Sequence, residues 1–316
     1  MNELSKQSEH LRVSELVVNW HLTEACNYQC KYCYASWIKP AEFSAIWRNK
    51  NKTDQLLKSL REHFDSTNDA NPLTKDLHWS DLRLSLAGGE PMLLGDRFKD
   101  IVETASELGF KISLITNGSF LNSETLEWLA PKLCILGISV DTTQSNSNKL
   151  IGRVDSKGNT LSEGFLANIV RVARQHNPNI QIKVNTVVNR SNFNEDLKEL
   201  VNLLKPERWK ILRALPATNH NLTISDAQFQ NFIEINQRAD TQVYIEDNLD
   251  MKDSYLMIDP HGRFYQNSLV QRGVTEYLYS DPILENGIAS AFNQVEFSSA
   301  AFCSRYVPAN IQGAAA

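Results

Sequence analysis

The stretch Ala25 to Tyr34 reads AlaCysAsnTyrGlnCysLysTyrCysTyr and gathers three of the chain's five cysteines, Cys26, Cys30 and Cys33, on one short segment. Three thiolates on a tight loop can hold three corners of a cubane iron–sulfur cluster and leave the fourth iron open to a chelating molecule from outside the chain. The competing site is zinc, because thiolates at short spacing suit tetrahedral zinc and His21 stands close enough in sequence to be a fourth ligand. Structural zinc sites usually bring two separated pairs of ligands, which this loop does not offer. A disulfide framework fits poorly with five cysteines, an odd count, behind a start that lacks a signal-peptide pattern. Cys134, in ProLysLeuCysIleLeuGlyIleSerVal, and Cys303, in AlaPheCysSerArgTyr, read as packed thiols.

Working outward, the loop follows an apolar β-rich run at Leu16 to Leu22, and similar runs recur at Leu82 to Leu86, Lys111 to Ile115, Cys134 to Val140, Ile180 to Val188 and Trp209 to Ala214. Helical patterns fill the gaps at Lys52 to Phe64, Arg97 to Leu108, Ser123 to Leu129, Ser162 to His176, Glu195 to Leu204 and Asp226 to Ala239. Start signals support two of them: Asn194 precedes GluAsp, and Ser225 precedes AspAlaGln. Repeated βα units predict an α/β fold with a parallel sheet curled into a partial (β/α)6 barrel, whose site lies at the C-terminal ends of the strands. GlyGlyGluPro at Gly88 to Pro91, ThrAsnGly at Thr116 to Gly118 and SerValAsp at Ser139 to Asp141 each close one of these strands. The division expected is a polar segment over 1–14, the barrel over 15–240 and a C-terminal extension over 241–316 covering the barrel mouth. The polar stretch from Asp65 to Lys75 is expected to be a mobile loop.

The 316 residues can bury a substantial core, and 42% hydrophobic with 22% charged content is ordinary for a soluble globular protein. A formal net charge of −5 argues against a protein that coats nucleic acid, although a few converging lysines and arginines bind a phosphate chain whatever the overall charge. No apolar run reaches the roughly 18 residues that span a bilayer, and the first dozen residues are polar and mixed in charge. A cytoplasmic protein, free of membrane, is the expectation.

The CxxxCxxC loop after the first strand and GlyGlyGluPro after the second resemble the radical S-adenosylmethionine (SAM) superfamily. That resemblance implies a 4Fe–4S cluster on Cys26, Cys30 and Cys33, with SAM chelating the open iron and yielding a 5′-deoxyadenosyl radical. Gly88 and Gly89, without side chains, let backbone approach a ligand, and Glu90 is a negative partner for the SAM ammonium. Asn117, Ser139 and Tyr32 are further candidates for contacts to SAM. Tyr32 is the one placed to meet adenine.

A closer resemblance spans about residues 16 to 265. ValValAsnTrpHisLeuThrGluAlaCysAsnTyrGlnCys, LeuIleGlyArg at Leu150 to Arg153, LysValAsnThrValValAsnArg at Lys183 to Arg190, GluArgTrpLys at Glu207 to Lys210 and MetLysAspSerTyrLeuMetIleAsp at Met251 to Asp259 together are similar to the viperin family, in its prokaryotic form. The family dehydrates a ribonucleoside triphosphate to its 3′-deoxy-3′,4′-didehydro form, a chain terminator in antiviral defence, here against phage. A triphosphate carries about four negative charges. The resemblance assigns Arg153, Lys183 and Lys210 to it, with Arg208 beside them. Asn185 shares a strand face with Lys183 and suits either triphosphate or SAM ribose.

Tyr255 matches the tyrosine of the family's AspSerTyr motif and is the expected donor of the last electron and proton. An electron donor of the flavodoxin or ferredoxin type is the implied partner. His220, Asn221 and Asn248 are candidate readers of the base, with a pyrimidine preferred. The alternatives are a radical SAM enzyme acting on a peptide, for which Cys134 and Cys303 are too few to hold auxiliary clusters, and a non-catalytic nucleotide sensor, which has no need of GlyGlyGluPro.

Overall fold

The computed structural model describes residues 11–37, 44–215, 220–237, 241–269 and 275–306. Seven parallel strands follow one another: β1 (Glu15–His21), β2 (Asp81–Ala87), β3 (Lys111–Thr116), β4 (Ile135–Ser139), β5 (Gln181–Val188), β6 (Arg208–Arg213) and β7 (Val243–Glu246). Each of the first six feeds a helical crossover, through α1 (Lys50–His63), α2 (Asp96–Glu107), α3 (Ser123–Leu129), α4 and α5 (Ser145–Ile151 and Glu163–His176), α6 (Lys198–Leu204) and α7 (Asp226–Asn236). The sequence then returns to the far side of β1. There β8 (Leu256–Ile258) pairs parallel to β1, and β9 (Arg263–Leu269) and β10 (Thr275–Pro282) continue antiparallel.

The resulting ten-stranded sheet runs β10-β9-β8-β1-β2-β3-β4-β5-β6-β7 and is open, so the barrel is partial, as the βα count predicts. The six expected strands sit within one residue of those observed at either end. Their apolar side chains alternate between two buried layers, as expected for strands covered on one side by helices and lining an interior on the other. Leu16, Val18, Trp20, Leu84, Leu86, Ile112, Leu114, Leu136, Ile138, Ile182, Val184 and Trp209 pack outward against the helices. The helices answer with one apolar face each, such as Leu56, Leu57 and Leu60 of α1 or Leu166, Ile169, Val170 and Ala173 of α5. Fully burying one such side chain contributes roughly 1.5–3 kcal/mol.

Several details depart from expectation. The helix expected from Glu195 begins at Lys198, because Asn192 turns the chain and the Leu197 N–H is satisfied by Asn236 Oδ1 of α7 at 2.8 Å rather than by a local cap. The cap at Ser225 holds, with Ser225 and Gln228 bonded reciprocally. The stretch Asp65 to Lys75, expected to be mobile, is knotted by its own side chains. Asn68 and the buried Asn71 both donate to the His63 carbonyl, and Asn71 also accepts from Leu73 N. These amides stand in for backbone partners. The last helices, α8 (Ile283–Asn286), α9 (Ile288–Phe292) and α10 (Ser299–Ser304), carry too weak a period to be read in advance. Through Phe292 and Phe302 they join the main core, and α10 packs on the short strand Leu11–Arg12, which pairs with Leu77–His78. Among the described residues no helix is long and apolar enough to cross a membrane.

Candidate active site

The inward layer of the sheet surrounds a cavity of about 310 Å³. Period-two alternation selects its walls: Val17, Asn19 and His21 from β1; Arg83, Ser85 and Ala87 from β2; Lys183, Asn185 and Val187 from β5; Arg208, Lys210 and Leu212 from β6. Neighbouring strands keep these rows level, since Ser139 pairs with Asn185, Asn185 with Lys210, and Lys183 with Arg208. Cys26, Cys30, Cys33, Tyr32, Gly88, Gly89, Asn117, Arg153 and Tyr255 line the same cavity. Of the residues singled out in the sequence for binding or catalysis at the centre, Glu90 alone is absent from this lining.

At the C-terminal end of the strands, the cysteine loop is sewn to its neighbours by backbone. Gly89 N and Glu90 N donate to the carbonyls of Thr23 and Ala25, at 2.6 and 2.8 Å. A Cβ on Gly88 or Gly89 would strike the backbone of Thr23 to Ala25, so the missing side chains admit the loop as well as any ligand. On its other side, Gln29 N bonds to the Gly152 carbonyl and Lys31 N to that of Ile151. Gly152 has a φ of +85° and would press a side chain into the Gln29 carbonyl. Glu90 is fully buried. Its carboxylate accepts from Thr116 Oγ1, Asn117 N and Met92 N, and this bonding holds the ThrAsnGly turn in place. Asn117 then reaches Asn27 Oδ1 at 2.8 Å and lies 3.7 Å from Cys26 Sγ.

Arg153, expected among the phosphate ligands, lines the cavity on the side of the cysteine loop. Its guanidinium is buried against the Asp141 carboxylate, the Tyr32 hydroxyl at 3.1 Å, the Ser139 carbonyl and, at 3.9 Å, Cys30 Sγ. It therefore belongs to the cysteine end. Tyr32 donates to Asp141, so its hydroxyl is fixed and its ring faces the cavity. Asp141 also accepts from Val187 N at 2.8 Å, which locks the ends of β4 and β5 together. The sequence placed Asp141 at a strand end but gave no sign of this role.

The three thiols are free and line one cavity, as the separate corners of a cubane require. Burial pushes all three upward, Cys30 to about 11, against the opposing pull of Arg153 on Cys30 and Cys33. Among the described residues no three His, Cys, Asp or Glu side chains converge on one point as a single metal ion requires, whereas a cubane takes its thiolates at separate corners. His21 is spoken for as well. Its two ring nitrogens meet the hydroxyls of Tyr265 and Tyr34 at 2.6 and 3.2 Å, and burial lowers its pKa to about 3 despite a raising contact at Ile258. This argues against the zinc reading.

The cations lie deeper than expected. Lys183 and Lys210 are each the third residue of their strand and Arg208 is the first of β6, so they sit in the N-terminal half of the barrel interior rather than at its C-terminal rim. Among the described residues, the side chains of Lys183 and Arg208 form no hydrogen bond or ion pair. Arg83, by contrast, is paired with Glu15 at 2.8 Å and bonded to Ser113. Burial, followed by repulsion from Lys210, drives the Lys183 ammonium well below its usual range.

Lys210 reaches Glu246 and the Tyr255 hydroxyl, both at 2.5 Å. Tyr255 donates to Glu246, and Arg305, arriving from the end of α10, bonds Glu246 at 3.2 Å and lies 3.1 Å over the Tyr255 ring centre. Burial lowers Lys210 to about 8 against the raising pull of Glu246. Burial tends to raise Glu246, but its two cations outweigh it and hold the carboxyl near 2. Glu246, Arg305 and Tyr306 carry no motif that sequence reading could find. Asn248 lies outside the cavity lining, and the side chain of His220 falls outside the described residues.

Comparison with known proteins agrees with this geometry. Residues 20–204 match the Radical SAM superfamily. The chain is 40% identical over 294 residues to an S-adenosylmethionine-dependent nucleotide dehydratase of Pseudoalteromonas ulvae, covering 93% of this chain and 94% of that one. It is equally 40% identical over 300 residues to one of Psychrobacter lutiphocae, with 94% and 96% covered. A counterpart in Danio rerio is 29% identical over 285 residues, covering 82% and 70%. Among solved structures, native anSMEcpe with bound AdoMet and a peptide superposes with a TM-score of 0.60 at 14% identity, covering 91% of this chain and 84% of that one. Streptococcus suis SuiB bound to S-adenosylmethionine gives 0.54 at 15%, covering 79% and 59%. At such identities these two speak for the fold alone. With half the chain matched by the superfamily and nearly all of it by these relatives, the protein belongs to the radical SAM superfamily and, within it, to the S-adenosylmethionine-dependent nucleotide dehydratases.

Proposed function

We propose that this chain removes water from the ribose of a ribonucleoside triphosphate, a pyrimidine nucleotide by preference, to give the 3′-deoxy-3′,4′-didehydro nucleotide, and that this product terminates phage nucleic-acid synthesis. The observation that carries the reading is one cavity with a cysteine loop at one end and, at the other, Lys183 and Arg208, which form no hydrogen bond or ion pair among the described residues. Cys26, Cys30 and Cys33 would hold the 4Fe–4S cluster. Gly88, Gly89, Asn117 and Ser139 would frame SAM. When bound, the pair supplies a carbon-centred radical able to take a hydrogen atom from the sugar.

The chain's own residues do the rest. Lys183, Arg208 and Lys210 receive the phosphates, and their depth in the barrel draws the ribose toward the cysteine end. Asn185, level with Ser139 on one side and Lys210 on the other, stands between the two ends and bonds the sugar or the first phosphate. Arg153 and Asp141 fix Tyr32 beside the cofactor space rather than binding substrate. Glu90 acts through Asn117. Tyr255 gives up an electron and a proton as the alkene forms. The described residues beyond 240 serve as the cover, contributing Glu246, Met251, Tyr255, Tyr265 and Arg305 to the walls. Enclosure limits the water that reaches reactive intermediates. An electron donor of the flavodoxin or ferredoxin class serves the cluster.

Anaerobic incubation of the reconstituted protein with SAM, dithionite and each of the four ribonucleoside triphosphates, followed by mass analysis, tests the reading. A nucleotide lighter by one water, formed with 5′-deoxyadenosine, is expected with CTP or UTP. 5′-Deoxyadenosine with every nucleotide intact would move the enzyme to another substrate, a peptide being the first to try.

A further inference from the structure

Tyr255 does not present its hydrogen to the cavity. Its hydroxyl donates to Glu246 Oε2 and accepts from Lys210 Nζ at 2.5 Å, while the guanidinium of Arg305 covers the ring at 3.1 Å from its centre. A phenol has one hydrogen, and here it is directed at a buried carboxylate. Glu246 is held in place by three partners, Tyr255, Lys210 at 2.5 Å and Arg305 at 3.2 Å, on strand β7 at the rim of the phosphate end. A carboxylate buried beside the cations of an anion-binding cavity opposes phosphate binding, so binding alone does not account for it.

Resting on the reading of Tyr255 as donor, we infer that Glu246 is a positioning residue that takes the phenolic proton, so that Tyr255 passes its electron and its proton in different directions. Once the sugar has lost the hydrogen atom at C4′, the 3′-hydroxyl departs as water with a proton from solvent, and the nucleotide is left one electron short of the alkene. Tyr255 supplies that electron as its O–H bond breaks. The proton moves to Glu246, leaving a neutral tyrosyl radical and a protonated carboxyl. A one-electron donor of the flavodoxin or ferredoxin class then reduces the phenoxyl oxygen, which recovers the proton from Glu246. Lys210, bonded to that same oxygen, holds it in register with the carboxylate throughout. Arg305 and Lys210 keep Glu246 ionised, hence ready to accept.

The test compares Glu246→Gln, Glu246→Asp and Tyr255→Phe with the unmodified holoenzyme. Three quantities are read: dehydrated nucleotide per 5′-deoxyadenosine, triphosphate affinity by calorimetry, and the tyrosyl signal in freeze-quenched electron paramagnetic resonance. Glu246→Gln keeps an acceptor for the phenol but cannot hold the proton. The ratio is expected to fall at least tenfold and the tyrosyl signal to vanish, while the triphosphate binds as tightly or more tightly because one negative charge has gone. Glu246→Asp, which retains a carboxylate, is expected to recover part of the ratio.

A normal ratio in Glu246→Gln beside a collapsed one in Tyr255→Phe would overturn the role of Glu246 and leave Tyr255 as donor. A normal ratio in Tyr255→Phe would overturn the donor reading itself, and the inference with it. Weakened nucleotide binding in both Glu246 variants with an unchanged ratio would reduce the carboxylate to a scaffold and equally overturn the inference.

Discussion

The two ends of the cavity are built on opposite principles. At the cysteine end the groups that frame the loop are matched: backbone donors find carbonyls, Glu90 is surrounded by donors, and Arg153 is matched by Asp141, Tyr32 and Ser139. At the end proposed for the phosphates Lys183 and Arg208 form no hydrogen bond or ion pair among the described residues, and one carboxylate, Glu246, is shared by Lys210, Arg305 and Tyr255. A site that must hold the same cofactor at every turnover gains from rigidity. One that must accept a polyanion and release it keeps charge in reserve, and the ligand itself completes the pairing.

Substitutions should therefore act differently at the two ends. The largest effect is expected at the cysteines: Cys26→Ser, Cys30→Ser or Cys33→Ser should abolish the cluster's visible absorbance together with both 5′-deoxyadenosine and nucleotide product. Gly89→Ala should come next, since its Cβ would meet the Ala25 carbonyl and lever the loop away. Iron content after reconstitution should drop several-fold while the circular dichroism of the fold persists, and full iron content would show that the loop has slack the structure does not suggest.

At the other end the damage should fall on the nucleotide alone. Lys183→Ala and Lys210→Ala each remove a charge-assisted contact worth about 1.5–3 kcal/mol, which corresponds to a triphosphate KM raised roughly 10- to 100-fold. Iron content should be unchanged. The smallest effect is protonic. Because Lys210 is lowered to about 8, its charge is present below that pH and lost as pH rises through it, so KM should climb on the alkaline side. Burial and Lys210 push Lys183 well below its ordinary range, and a phosphate at its side pulls it back up. Binding should then take up protons, seen as a calorimetric heat that varies with the ionisation enthalpy of the buffer.

The same contrast governs what could be read in the sequence. The cysteine end is local, with CxxxCxxC, GlyGlyGluPro and ThrAsnGly each closing a strand, so alternation and motif spacing were enough to place Cys26, Gly88 and Asn117 around one space. Parity likewise put Lys183 and Asn185 on one face. The phosphate end depends on contacts between remote segments. Glu246 and Arg305 are 59 residues apart and meet only because β7 closes one edge of the sheet while α10 folds back under the barrel. Nothing local marks either residue. The nearness of Arg153 to Cys30 could not be read in advance, because it follows from the turn at Gly152. The depth of Lys183 and Lys210 follows from where their strands begin, at Gln181 and Arg208.

The most direct measurement is the affinity of the reconstituted, SAM-loaded enzyme for the series from nucleoside through mono- and diphosphate to triphosphate, made with the unmodified chain and with Lys183→Ala. If the deep cations receive the phosphates, affinity should rise steeply along the series. The Lys183→Ala variant should flatten that rise without altering iron content or the weak binding of the nucleoside. Equal affinity for nucleoside and triphosphate in the unmodified chain would contradict a cavity with a cofactor end and a phosphate end.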